Sequence, residues 1–291
     1  MRAFFYPEAD CAHDKDPVYF GCLPFSRKFV DITTNPDEAD VFYAGQISEG
    51  SVPEYMNRLD YLSVYPDKHV FDIEGDWSTA KLSDEFLGSA LFTMNGVKHD
   101  YKGKLDRIFV RPTFSKNLMK LVKRTAYYQP EYNRKFSFLG FPDPYGIRRK
   151  MANQISQANG NIEFTDKWNG SSDDESIHRK FESFLLSSTF SLCPRGTGVD
   201  SVRFLESCFY GRIPIVISDN VCFGHDFDRP FYFQIHPSDI SREIFDEISS
   251  ISIDKINEYS RNAVLFFNTY VKSYFNNPTE FFFRWFNARN S

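Results

Sequence analysis

The chain has 291 residues, of which 42% are hydrophobic and 32 are phenylalanine, and it carries a formal net charge of −5. That is apolar material enough for two α/β domains or one large one, while the acidic balance excludes a general nucleic-acid binder, whose footprint is a basic face. No stretch approaches the roughly 18 uninterrupted apolar residues of a membrane helix, and the opening MRAFFYPEADCAHD lacks the apolar core of a signal peptide. A soluble, cytoplasmic protein is expected, and five scattered cysteines without CxxC spacing (Cys11, Cys22, Cys193, Cys208, Cys222) suit reduced thiols.

In chain order, Arg2 to Tyr6 is a short aromatic strand and Glu8 to Asp16 a polar loop, in which His13 is most simply solvated. Phe29 to Thr33 predicts another short strand, and Asn35-Pro36-Asp37-Glu38 a turn leading into a buried strand through Val41-Phe42-Tyr43. Tyr55, Leu59 and Leu62 have helical spacing within Val52 to Tyr65, and Pro66 stops that helix. In His69-Val70-Phe71-Asp72-Ile73-Glu74-Gly75-Asp76-Trp77, alternation puts Asp72, Glu74 and Asp76 on one side of a strand end. Crowded carboxylates raise one another's pKa, as a general base near neutral pH requires; the plain alternative is a solvated strand end. Leu91 to Met94 and Arg107 to Val110 are further strands, and Lys116 to Arg124 is a basic amphipathic helix with a solvated face.

Phe136 to Leu139 then opens a second domain, followed by a loop to Gly146 and a helix from Ile147 to Ala158; Ile177 to Leu186 is a second helix. Ser188 to Cys193 is an apolar strand that Pro194 ends, the loop beyond it holds Arg195, Gly196 and Gly198, and Asp200 suits the N-cap of a helix carrying Val202, Leu205 and Phe209. Gly211 falls where a helix-terminating glycine is wanted, and Ile213 to Ile217 is a buried strand. This β-α-β crossover places a glycine loop at the carboxyl end of a parallel strand, where open α/β sheets bind ligands. Arg195 and Arg203 beside free backbone N–H groups favour an anion such as a diphosphate, and Glu206 could accept from two ribose hydroxyls. Arg203 and Glu206 could equally form an i,i+3 surface pair. Phe231 to Ile235 is a strand, Ser241 to Ile248 and Ile253 to Phe267 are helices, and Tyr270 to Phe286 is a last helix interrupted near Pro278. Asp226-Phe227-Asp228 is a lone D-x-D pair, insufficient to imply a metal.

Leu192-Cys193-Pro194-Arg195-Gly196, then Ser201-x-Arg203-x-x-Glu206, then Gly211-x-Ile213-Pro214-Ile215-Val216-Ile217-Ser218-Asp219, together resemble the signature block of the exostosin-like glycosyltransferases, glycosyltransferase family 47. The resemblance implies an α/β GT-B fold, with two Rossmann-like domains whose parallel sheets face a central cleft. The corresponding segments here are an acceptor-side domain over 1–135, a donor domain over 136–272 and a helix over 273–291 returning to the first. It implies an inverting, metal-independent transferase without cofactor, moving a sugar from a UDP-sugar, UDP-xylose foremost, to a hydroxyl of a glycan or glycoprotein acceptor. Arg148 (Arg149 being the near alternative), Arg195, Gly196, Gly198, Ser201, Arg203 and Glu206 are then donor-binding residues, and Asp76, ahead of Glu74 and Asp72, is the general base, although Gly75 stands where relatives have His. The other classes to weigh are a catalytically silent glycan-binding protein and a transferase using a GDP-sugar. Familiar eukaryotic exostosins carry Golgi anchors; a bacterial or viral cytoplasmic origin suits this chain better.

Overall fold

The computed structural model describes residues 2–6, 30–47, 58–73, 91–94, 97–98, 108–112, 115–143, 145–167, 174–196, 200–219, 221–222 and 227–290. The chain divides into two compact units: one comprises Met1–Pro112, Cys222–Gly224 and Ser273–Ser291, the other Thr113–Val221 and His225–Lys272.

The first unit is built on a sheet of six strands, β1 (Arg2–Phe5), β2 (Asp31–Thr33), β3 (Val41–Ile47), β4 (His69–Ile73), β5 (Leu91–Met94) and β7 (Ile108–Val110), with the two-residue β6 (Val97–Lys98) between the last two in sequence. Its spatial order is β2-β1-β3-β4-β5-β7, and every pairing is parallel. Such sheets are covered on both faces, and β3 accordingly runs buried through Val41, Phe42, Tyr43 and Ala44. Asn35 starts the turn before β3, its side chain accepting from the Asp37 amide. The helix expected up to Tyr65 is not seen among the described residues 58–65. They form turns closed by Leu62 N–H to Leu59 O and Tyr65 N–H to Tyr61 O, because Tyr61 and Tyr65 turn their rings onto Phe42.

Among the described residues the sheet of the second unit has five strands, β8 (Phe136–Gly140), β9 (Gly160–Phe164), β10 (Phe190–Pro194), β11 (Ile213–Ile217) and β13 (Phe233–Ile235); the two-residue β12 (Val221–Cys222) is not part of it. The order is β9-β8-β10-β11-β13, again wholly parallel. Its helices are α1 (Lys116–Leu121), α2 (Ile147–Gln154), α3 (Glu175–Leu186), α4 (Arg203–Phe209), α5 (Arg242–Ser249) and α6 (Ile253–Phe266). Phe136, Phe138, Leu192, Ile215 and Ile217 from the strands pack with Met151, Phe245 and Ile256 from the helices into one core.

Three local details differ from expectation. α2 stops four residues short of Ala158, because Phe136 pairs with Gly160 and the chain must be extended there; a Cβ at Gly160 would come 2.6 Å from Ile155. Pro194 is the last residue of β10 rather than its breaker, paired with Ile217 and followed by Arg195 N–H to Ile217 O at 2.9 Å. α4 begins at Arg203 behind Val202, itself in αR geometry, and not at an Asp200 cap. Gly211 ends it with a φ of 62°, a left-handed conformation that favours glycine.

The division between units falls at Pro112, not at residue 135. α1 packs on α4, and Asn268 exchanges two hydrogen bonds with the Ala126 backbone, so residues 115–135 belong to the second sheet's surroundings. After α6 a π-helical turn over Phe267–Val271 leads to α7 (Lys272–Asn276) and α8 (Pro278–Asn290). Within the first unit, Phe282 and Trp285 of α8 pack on Phe109 of β7.

Candidate active site

In the second sheet the chain runs from β8 outward to β9, then returns to β10 on the other side of β8. The connections therefore diverge at the carboxyl ends of β8 and β10, the point at which open α/β sheets form a binding crevice. A cavity of about 120 Å³ lies there. Leu139, Gly140 and Phe141 line it from the end of β8, Arg148 from α2, and Ser201, Val202, Arg203 and Glu206 from the start of α4. Thr165 after β9, Ile177, His178 and Phe181 of α3, and Ser115 and Asn117 at the start of α1 complete the wall.

α4 is buried over its whole length, so neither of its charged residues is on the surface. Arg203 is 9% exposed; its guanidinium carbon lies 4.6 Å from the ring centroids of both Phe138 and Phe181, and Nη2 donates to the Leu139 carbonyl. Burial lowers its pKa to about 10, with nearby Cys193 and Glu206 opposing and Arg148 adding to the fall. The remaining N–H groups of Arg203 carry no hydrogen bond among the described residues. Arg148 sits beside it: Nε donates to Arg195 O at 3.3 Å, Nη1 to Phe141 O, and the guanidinium lies 5.6 Å from the Phe138 centroid. Burial pulls its pKa down too, against the favourable field of Asp143. Two cations thus share one aromatic ring at one cavity wall, an arrangement that an anion stabilises.

The glycines let the cations in. A Cβ on Gly140 would stand 3.1 Å from the Phe138 ring and 3.4 Å from Arg203 Nη2; one on Gly196 would stand 3.0 Å from Arg148 Nη2.

Glu206 is 4% exposed, and its Oε1 takes both Ser115 Oγ–H at 2.6 Å and Asn117 Nδ2–H at 3.2 Å. Burial pushes its pKa up, while Ser115, Arg203, Asn117 and His178 pull the other way. Oε2 has no hydrogen bond among the described residues. A buried carboxylate with an acceptor to spare in a cavity is suited to a hydroxyl-bearing ligand.

Of the expected donor residues, Arg148, Ser201, Arg203 and Glu206 are brought together around the cavity. Gly196 abuts Arg148. Arg195 is elsewhere: its guanidinium is ion-paired with Asp219 and lies 5.0 Å from the Tyr145 centroid, while its carbonyl serves Arg148. Arg149 does not line the cavity. Gly198, Glu74 and Asp76 lie outside the described residues; Asp72 is placed on β4 without a description of its side chain. No group of three or more metal-ligating side chains occurs among the described residues, and no helix among them is long and apolar enough to cross a membrane.

Ser115, Asn117, His178 and Phe181 were not legible as site residues. Ser115 signals itself only as an N-cap, which it is for α1, and nothing local announces a partner 91 positions away.

No protein-family model matches the chain. Among solved structures it is similar to TarM, at 12% identity and a TM-score of 0.35, over 79% of this chain and 57% of that one. It is also similar to WaaG, described as a glycosyltransferase involved in lipopolysaccharide biosynthesis, at 12% identity and a TM-score of 0.42, over 96% of this chain and 99% of that one. The chain thus spans a little over half the length of the TarM chain.

Proposed function

We propose that this protein is a GT-B-type glycosyltransferase that moves a sugar from a nucleotide-sugar donor, a UDP-sugar in the leading case, to a hydroxyl of a glycan acceptor. The observation that carries the proposal is the cavity at the divergence of β8 and β10, where Arg148 and Arg203 flank one ring and Glu206 presents an unengaged carboxylate oxygen. The exostosin-like block supports it, since Arg203, Glu206 and Ser201 belong to that block and all line this cavity.

In the proposed mechanism the two guanidiniums bind the diphosphate and take up the charge that grows on it as the anomeric carbon–oxygen bond breaks. They are held in place before the ligand arrives, by Leu139 O for Arg203 and by Phe141 O and Arg195 O for Arg148, so little reorganisation accompanies the reaction. Glu206 accepts from the ribose hydroxyls, and Ser201 contacts phosphate. Arg195 supports Arg148 through its carbonyl, while Asp219 engages its guanidinium. A general base on the 72–76 stretch, Asp76 by preference, deprotonates the acceptor in a single inverting displacement. With cationic charge already supplied by arginine, turnover is expected to persist in a chelator. UDP-xylose is the first donor to try, and the cytoplasm the compartment.

The test is calorimetric titration of the full chain with UDP. Arg203→Met keeps volume between Phe138 and Phe181 but removes the charge, and is expected to weaken UDP binding about a hundredfold. Wild-type affinity in a folded Arg203→Met protein overturns the donor-site assignment.

A further inference from the structure

Glu206 can serve a ligand only through the oxygen that the protein leaves open, and which oxygen that is depends on the start of α1. Ser115 Oγ accepts the Leu118 amide at 3.0 Å, as an N-cap does, so its single hydroxyl proton is left for Glu206 Oε1 at 2.6 Å. Asn117, one residue into the helix, donates to the same oxygen at 3.2 Å. Both donors and their acceptor line the cavity. Two donors on one oxygen restrain the carboxylate plane and leave Oε2 without a hydrogen bond among the described residues.

We propose that Ser115 and Asn117 are positioning residues that lock the Glu206 carboxylate through Oε1, so that Oε2 alone is presented to the ligand and selects one with a hydroxyl at that point over one without it. The inference rests on the assignment of the cavity to a nucleotide donor, and it adds the device by which that site distinguishes a ribonucleoside from a 2′-deoxyribonucleoside diphosphate. A carboxylate free to rotate about its last torsion would offer either oxygen, or none in register, and the preference would fade. Hydrogen bonds to a charged group are worth about tenfold or more in affinity, so the preference is measurable.

The same bonds also act on protonation. The groups facing Glu206 are Arg203 of its own helix, Ser115 and Asn117 of α1 and His178 of α3, all of which favour the anion; the thiol of Cys193 on β10 and the phenol of Tyr210 lie within electrostatic range. Removing Ser115 or Asn117 leaves burial less opposed, so the acid limb of ligand binding moves to higher pH.

The experiment titrates the full chain with inorganic pyrophosphate, UDP and 2′-deoxy-UDP, using wild type, Ser115→Ala, Ser115→Thr and Asn117→Leu. Wild type is expected to prefer UDP over 2′-deoxy-UDP about tenfold. In Ser115→Ala and Asn117→Leu the preference falls to about threefold or less and the acid limb rises, while pyrophosphate, which has no ribose, loses less affinity than UDP does; Ser115→Thr, which keeps the cap and the hydroxyl, restores both. A preference and acid limb unchanged in Asn117→Leu, which leaves the cap of α1 intact, overturn the positioning role alone. Wild-type protein that binds neither UDP nor pyrophosphate overturns the donor site, and the positioning role with it.

Discussion

Both units carry a parallel sheet with the same inner reversal, outward by one strand and then back across the first, yet they treat buried polar groups in opposite ways. In the first unit His69 is fully buried and fully engaged: the Tyr61 amide donates to Tyr6 Oη at 3.1 Å, Tyr6 O–H to His69 Nε2 at 2.8 Å, and His69 Nδ1–H to Tyr65 O at 2.8 Å. The imidazole also stacks on Phe42 at 4.8 Å between centroids. In the second unit Arg203 and Glu206 are nearly as buried, but each keeps bonding capacity on the side of a cavity. Burial alone therefore does not mark a site; unspent donors and acceptors beside a void do.

The comparison breaks most visibly under charge removal. Arg148→Ala should cost about tenfold to a hundredfold in UDP affinity by calorimetry, with a change in melting temperature far smaller in proportion. Glu206→Gln separates stability from binding in one step. Burial raises the Glu206 pKa above its ordinary 4.5, so ionisation at neutral pH opposes folding: this penalty is absent below about 4.5 and grows as pH rises through the folded value. The variant should melt at or above the wild-type temperature at pH 7 yet bind UDP about tenfold more weakly, the usual conflict between a site and its scaffold.

In the first unit Tyr6→Phe should reduce stability by about 1–3 kcal/mol in denaturant titration, since His69 Nε2 is left buried without its donor, and leave UDP affinity untouched. Here the pH dependence has the opposite sign. Burial lowers the His69 pKa below 6.5, so its contribution is complete above about 6.5 and is lost as pH falls from there through the folded value; His69→Phe should remove that loss. Gly196→Ala is subtler. Among the described residues the new methyl meets the Arg148 guanidinium, 3.0 Å from Nη2, and presses it away from its carbonyl partners, so UDP affinity should fall a few-fold while the melting temperature changes little. Smallest of all, Lys120→Ala removes an exposed, solvent-screened pair with Glu175 and should leave the melting temperature and UDP affinity at their wild-type values.

How much of this was legible varies with the range of the forces involved. The strands β3, β10 and β11 announced themselves by continuous apolar runs, and α4 by its spacing and by Gly211, because those signals act within a few residues. β9 did not, since Asn161 and Glu163 look polar and the strand exists only because Phe136 lies beside it. Residues 58–65 form turns and not the expected end of a helix for the same reason: Tyr61 and Tyr65 answer to Phe42 and not to one another. At the cavity, Arg203 and Glu206 stood out by type and spacing, but an exposed i,i+3 pair was an equal alternative until burial of the whole of α4 excluded it. Arg195 looked like an anion ligand beside its glycines, and only folding brings Asp219 to it.

Phe138 is both a member of the hydrophobic core and the floor beneath two cations. Its ring ties the interior's geometry to the spacing of the guanidiniums, so a change of core volume at that point would carry both charges along as a pair. Redesign of the pocket has in that ring a single handle on where the positive charge sits, and a drifting lineage would find there the same constraint.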